Sequence, residues 1–169
     1  MNTVHDIIKN SLCLGCGLCE ALDKENCKMV INQEGFYEPI FRDQHRIDHK
    51  VITKICPGIV VHSQVTNQSI WGTVKIVANA WASDSEIRKS SSSGGVTSAL
   101  AIYLLETKKV DAVLHVGVEE GTYLYNRLYA STTKEDILSR NASRYAPAAI
   151  FNNIIELLEA EKTYAFIGK

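Results

Sequence analysis

The chain has 169 residues, enough for one ordinary domain or for a small satellite beside a modest core. Its 18 Lys and Arg stand against 19 Asp and Glu, a formal net charge of -1 with no block of like charges. The electrostatic footprint of a nucleic-acid or anionic-membrane binder is therefore absent, and neither partner is expected.

The opening MNTVHDIIKNSL lacks the basic region, apolar core and small-residue cleavage site of a secretory signal. The longest apolar run, 99–105 with Tyr103 inside it, falls far short of the roughly 18 residues a membrane span needs. A soluble, cytoplasmic protein is expected, and in that reducing compartment cysteines read as metal ligands rather than disulfides.

All five cysteines lie between Cys13 and Cys56. Residues 1–65 otherwise offer short β-like pieces, KMVI and GFYEPIF, and too little apolar material to fold without a staple. From 66 to 169 the text changes. TVKIVANAWA alternates toward a strand, and SGGVTSALAIYLLETKK is spaced for a helix that starts at serine and ends in lysines. VDAVLHVGV reads as a buried strand and LYNRLYAST as another. TKEDILSR reads as a short helix capped by Thr132 or Thr133, PAAIFNNIIELLEAE as a longer helix with Pro147 in its first turn, and TYAFIG as a last strand. The cysteine-bearing first part reads as a small segment over 1–65, and the alternation after it predicts an α/β domain over 66–169 with a mostly parallel sheet. Because the chain stops directly after an apolar strand, it reads as the N-terminal portion of something longer.

CLGCGLC, from Cys13 to Cys19, carries three cysteines at C-x2-C-x2-C spacing. Structural zinc normally takes paired ligands from two knuckles, so three plus one is the wrong division for it. The spacing matches the iron-sulfur loop of bacterial ferredoxins, whose fourth ligand is a distant Cys-Pro, and Cys56-Pro57 is the one Cys-Pro present. Cys13, Cys16, Cys19 and Cys56 thus make one 4Fe-4S site. Gly15 and Gly17 supply the positive φ a backbone wrapped around a cluster needs. Cys27 is left over, either as a buried thiol or as the fourth ligand in place of Cys56.

IRKSSSSGGVTSAL combines glycines, hydroxyls and a helix start behind Arg88 and Lys89, the chemistry that holds a phosphate; it matches neither a Walker A loop nor a G-x-G-x-x-G fingerprint. The plainer reading is that Ser93 caps the helix. His45 and His49 read as solvated loop residues and His115 as a hydrogen-bonded core histidine. Trp71 and Trp81 read as core or domain-junction aromatics.

In order, CLGCGLC, GFYEPIF, ICPG, SSSGGVTSAL with LLETKKVDAVLHVG, SRYAP and YAFIGK resemble the coenzyme F420 hydrogenase/dehydrogenase beta subunit family. The resemblance implies an iron-sulfur flavoprotein: a ferredoxin-like segment followed by an α/β domain that binds FAD and, in some members, reduces the deazaflavin coenzyme F420. It implies that Cys13, Cys16, Cys19 and Cys56 hold the cluster. It further implies that Ser91, Ser92, Ser93, Gly94, Gly95 and Val96, with Ser143, Arg144 and Tyr145, lie at the cofactor site. Arg144 departs from the lysine usual there, and a planar fork is not a point charge. The implied partner is a hydrogenase, a dehydrogenase or a ferredoxin. The rival from another class is a non-enzymatic ferredoxin-like carrier or docking module without flavin.

Overall fold

A computed structural model describes residues 3–60, 74–122 and 124–168. The expected boundary at 65/66, Trp71 and Lys169 lie outside the described residues.

Residues 3–60 build a small cap of helices on a hairpin. Thr3 closes a capping box with Asp6 and starts α1 (Val4–Lys9), which buries Val4 and Ile7 against α3 (His49–Ile55) and its Ile52. Between them run α2 (Leu18–Leu22), β1 (Cys27–Ile31) and β2 (Tyr37–Phe41), the strands pairing antiparallel with Cys27 opposite Phe41. Both strands fall where KMVI and GFYEPIF predict them. Buried Asn26 ties the hairpin base to the chain beyond it: its amide donates to the Asp43 carbonyl at 3.0 Å and accepts from the Asp43 N–H at 2.8 Å.

The remainder packs helices on a three-stranded sheet. Elements follow in the order α4 (Ser85–Ser90), α5 (Val96–Glu106), β3 (Ala112–Val118), β4 (Asn126–Ser131), α6 (Lys134–Ser139), α7 (Ile154–Glu159) and β5 (Tyr164–Phe166). The core joins Ala82, Ile87, Ala101, Ile102, Val113 and Ile137. Thr133 caps α6 through a capping box with Asp136, which decides between the two threonines.

Four expectations need correction. The sheet is not mostly parallel: its order is β4-β3-β5, with β3 and β4 antiparallel over six residue pairs and only β3 and β5 parallel. The cause is the connection, since 119–125 is too short for the crossover of a dozen or more residues that parallel neighbours require. TVKIVANAWA forms no strand among its described residues, where Ala82 alone is buried and its N–H donates to the Gly94 carbonyl at 2.8 Å. Ser93 does not cap α5. It has φ 50, and Gly94 (76) and Gly95 (77) follow it into left-handed backbone, so Gly95 takes the N-cap and the serine is not in the extended conformation that capping needs. The long helix from Pro147 shrinks to α7, because 147–153 is drawn into turns by contacts with the cysteine loop described below.

His115 is a core histidine as expected, 6% exposed, with Nε2 2.8 Å from Ser131 Oγ. Burial, and then the Arg140 charge, push its pKa below the ordinary 6.5, while Asp136 acts weakly in the opposite sense. The unfolded chain therefore binds this proton more readily than the folded one. The stability that follows is complete above the ordinary histidine pKa and declines as pH falls through it toward the lower folded value. Urea midpoints measured from pH 7.5 to 5 should fall less in His115→Gln than in the parent chain.

Candidate metal and cofactor site

The cysteine loop leaves α1 and ends in the first turn of α2, and two left-handed glycines shape it. At Gly15 (φ 64) a Cβ would meet the Tyr37 carbonyl oxygen at 2.8 Å; at Gly17 (φ 90) it would meet Asn152 N at 2.8 Å. Both backbones pass too close to a neighbour for any side chain. Cys56 arrives from the other direction, as the C-cap of α3, with its N–H donating to the Ile52 carbonyl at 2.8 Å. The turn after it presses on the loop, since a Cβ on Gly58 would lie 2.7 Å from the Leu12 carbonyl oxygen. Cys13, Cys16, Cys19 and Cys56 are half-buried, whereas Cys27 is 0% exposed.

The four half-buried thiols share one electrostatic neighbourhood. Burial is the main force raising the pKa of Cys13, Cys16 and Cys19, the last to about 12, and the Cys56 charge raises all three further. Backbone hydrogen bonds from Gly15 to Cys13 and from Leu18 to Cys16 act in the opposite direction. Cys27, pushed to about 12 by burial and then by Glu20 and Asp23, acts on Cys19. Among the described residues, no three His, Cys, Asp or Glu side chains stand at metal-holding geometry.

Glu20, which the spacing did not single out, fixes α2 beside Cys19. It is 8% exposed, accepting from the Met29 N–H at 2.7 Å and from Lys28 Nζ at 2.9 Å, so α2 is tied to β1 by a charge-assisted pair of bonds.

The stretches at 91–96 and 143–145 meet each other. Asn141 donates to Ser90 Oγ at 2.9 Å and Ser91 Oγ at 3.1 Å, and the Ser143 N–H donates to Ser92 Oγ at 3.1 Å. Arg144 Nε donates to Oδ1 of buried Asn126 at 2.9 Å, while the Asn126 amide donates to the Ala146 carbonyl at 2.8 Å. Tyr145 is 90% exposed. Trp81 is not a core aromatic: it is 60% exposed beside the serine turn, with its Cβ 3.2 Å from where a Cβ on Gly94 would lie and the Arg88 guanidinium 5.3 Å from its ring. His45 and His49 are exposed, as expected.

The loop docks on the chain around Phe151. The Phe151 N–H donates to the Cys16 carbonyl at 2.8 Å, and the Phe151 ring packs on Phe166 of β5 with centroids 5.3 Å apart. Lys24 bonds Asn153 at 3.1 Å and pairs with Glu156. On the other side Tyr37, against which Gly15 packs, lies within electrostatic reach of Glu119 and Tyr125 in the β3–β4 connection.

Two of the cavities on the described surface lie near these elements. The larger, about 470 Å³ between α1, β2 and the start of α3, is lined by none of the cysteines or cofactor-stretch residues. The smaller, about 340 Å³, lies over Gly117 and Val118 at the end of β3 and is walled by Tyr129, Arg140, Asn141 and Arg144. Tyr129, Arg140 and Asn126 gave no signal in the sequence, because each sits inside or at the edge of a regular element and outside any motif.

No curated protein matches the chain. Among solved structures, it is similar to a chain of the xenon-derivatised F420-reducing NiFe hydrogenase complex from Methanosarcina barkeri. The two are 28% identical over 47% of this chain and 27% of that chain, with a TM-score of 0.43, so the likeness spans about a quarter of that relative's length. A family model described as coenzyme F420 hydrogenase/dehydrogenase, beta subunit N-term, matches residues 77–155, which hold both serine-turn and Ser143–Tyr145 stretches but none of the cysteines. The resemblance carried by the motifs is thereby borne out over that stretch: residues 77–155 match the N-terminal domain of the coenzyme F420 hydrogenase/dehydrogenase beta subunits.

Proposed function

We propose that the chain is the electron-handling part of an oxidoreductase subunit, with one 4Fe-4S cluster on Cys13, Cys16, Cys19 and Cys56 and FAD on the serine turn. Electrons pass between them toward coenzyme F420 or a related acceptor, and a hydrogenase, dehydrogenase or ferredoxin is the redox partner. The observation that carries this reading is the hydrogen bonding of Asn141 and Ser143 to Ser90, Ser91 and Ser92, which joins two cofactor stretches about fifty residues apart.

The donor set suits a cluster. Burial and neighbouring thiols raise the pKa of Cys13, Cys16 and Cys19, a cost that a cationic iron core would offset, and the Gly15 and Leu18 N–H groups bonded to Cys13 and Cys16 would serve as donors to cluster sulfur. Cys56 stands half-buried on the C-cap of α3 beside the loop whereas Cys27 is wholly buried in β1, which favours Cys56 as the fourth ligand. When bound, cluster and flavin supply one-electron and hydride chemistry. The chain's own part is placement. Gly15 and Gly17 let the loop close, Glu20 fixes α2, and Ser92 and Asn126 hold the 143–146 strip against the turn.

Anaerobic titration of FAD with the full chain tests the flavin half. Fluorescence quenching is expected, with binding about tenfold weaker in Ser92→Ala, where the Ser143 N–H loses its partner. No quenching at protein excess would withdraw the flavin and leave a ferredoxin-like carrier.

A further inference from the structure

The positive charge of the cap is divided between two sides. Lys24, Lys28 and Arg46 pair with carboxylates on α2, on the turn after it or on α7. Lys9 on α1, Arg42 after β2, and Lys50 and Lys54 on α3 are exposed, and among the described residues none of them forms an ion pair. The carboxylates beside them in the chain are taken up by helix starts. Asp6 accepts from the Thr3 N–H, Asp43 from the His45 N–H at 2.9 Å, and Asp48 from the Lys50 and Val51 N–H groups at 3.0 and 3.1 Å, where the positive end of each helix offsets their charge. The larger cavity opens among these cations: Lys9 follows Ile8, Arg42 follows Phe41 and Lys50 follows His49, all three of them lining residues. Its wall is otherwise Pro39, Ile40 and Ile47, so it is an apolar groove with a basic rim. Thr3, at the start of α1, lines the groove, and the cysteine loop leaves the other end of that helix, about 9 Å away. At the loop end Leu14, between Cys13 and Cys16, and Ile55, beside Cys56, are exposed.

We propose that this side of the cap is the docking face for an acidic redox protein, which seats an apolar side chain in the groove and lays its carboxylates against Lys9, Arg42, Lys50 and Lys54. The partner's being a redox protein rests on the electron-handling reading above, since docking here brings it beside the cysteine loop. Its acidity follows from charge complementarity. Four exposed cations without carboxylate partners attract a negative surface from solution and orient its approach, an effect that salt screens. The groove, about 470 Å³, supplies an apolar contact that salt does not weaken. A nucleic acid is the poorer match: its phosphates would meet the cations but leave the apolar groove unfilled, and the chain as a whole carries a formal charge of -1.

Fluorescence anisotropy of a dye-labelled bacterial ferredoxin of acidic surface, titrated anaerobically with the full chain, tests the proposal, with iron assayed on the same samples. Saturable binding is expected at low salt. Reversing Lys50→Glu and Lys54→Glu together should weaken it at least about tenfold at low salt and far less at raised salt, where exposed charges are screened. Ile40→Ser, in the groove wall, should weaken it about tenfold at both, because an apolar contact is not screened. Lys108→Glu, an exposed reversal on the turn after α5, should leave it unchanged. The substituted side chains are all exposed, and circular dichroism shows that each variant is folded. Ferredoxin bound by a chain that holds no iron keeps the docking face and removes only the cluster. No binding at low salt overturns the proposal whatever the iron content, and full iron in that case leaves the cluster standing. An equal loss in Lys108→Glu overturns it as well. So does a DNA duplex that displaces ferredoxin at equal concentration, or self-association of the chain that the same lysine reversals abolish, which would give the face to a second copy.

Discussion

Cys56→Ala, prepared anaerobically, should lose the iron and acid-labile sulfide expected at about four each in the parent chain, while Cys27→Ala should keep them. Cys56 comes to the loop on its own helix cap, pressed there by the approach of Gly58 to Leu12, and its charge bears on Cys13, Cys16 and Cys19 alike. Cys27 lies wholly buried in β1 opposite Phe41, and reaching an iron would require pulling it out of the strand. Iron and sulfide analysis with the visible absorption of the cluster reads the result. The reverse pattern would make Cys27 the fourth ligand, and zinc without sulfide would remove the cluster altogether.

Gly17→Ala should destabilise the protein by about 2–5 kcal/mol, combining about 1–2 for an L-residue in left-handed backbone with about 1–3 for overpacking. Gly35 separates the two contributions. Its φ of 87 nearly equals the 90 of Gly17, yet nothing lies within 4 Å of a Cβ built on it, whereas one on Gly17 meets Asn152 N at 2.8 Å. Gly35→Ala should therefore show only the conformational part. Urea unfolding of both variants measures the difference, and a similar cost for each would mean that the loop does not rest on the Asn152 backbone.

Periodicity located α5, β3, β4, α6 and β5 because their apolar residues face one core around Val113 and Ile102. It could not set the direction of β4, although the short stretch between the strands carried that information. Nor could it show that α7 starts late, because Phe151 is held by Cys16 and Phe166, which are remote in sequence. The cysteine loop and the Cys-Pro were readable as local signals, whereas the approach of the turn after Cys56 to Leu12 was not. The serine turn was readable as polar and glycine-rich but not as an unpaired helix start, because its hydroxyls are met by Asn141 and Ser143. Asn126, Tyr129 and Arg140 became visible only once β4 lay across β3.

The hydrogen bond from Phe151 to Cys16 also sets a biosynthetic order. A ribosome adds about 5–20 residues per second, so the three loop thiols wait on the order of ten seconds before the backbone that secures them has been made. Throughout that interval they are open to oxidants and to stray metal ions. On the cluster reading proposed above, the loop is completed for metal only after residue 151 has been made, and until then its thiols must be kept reduced.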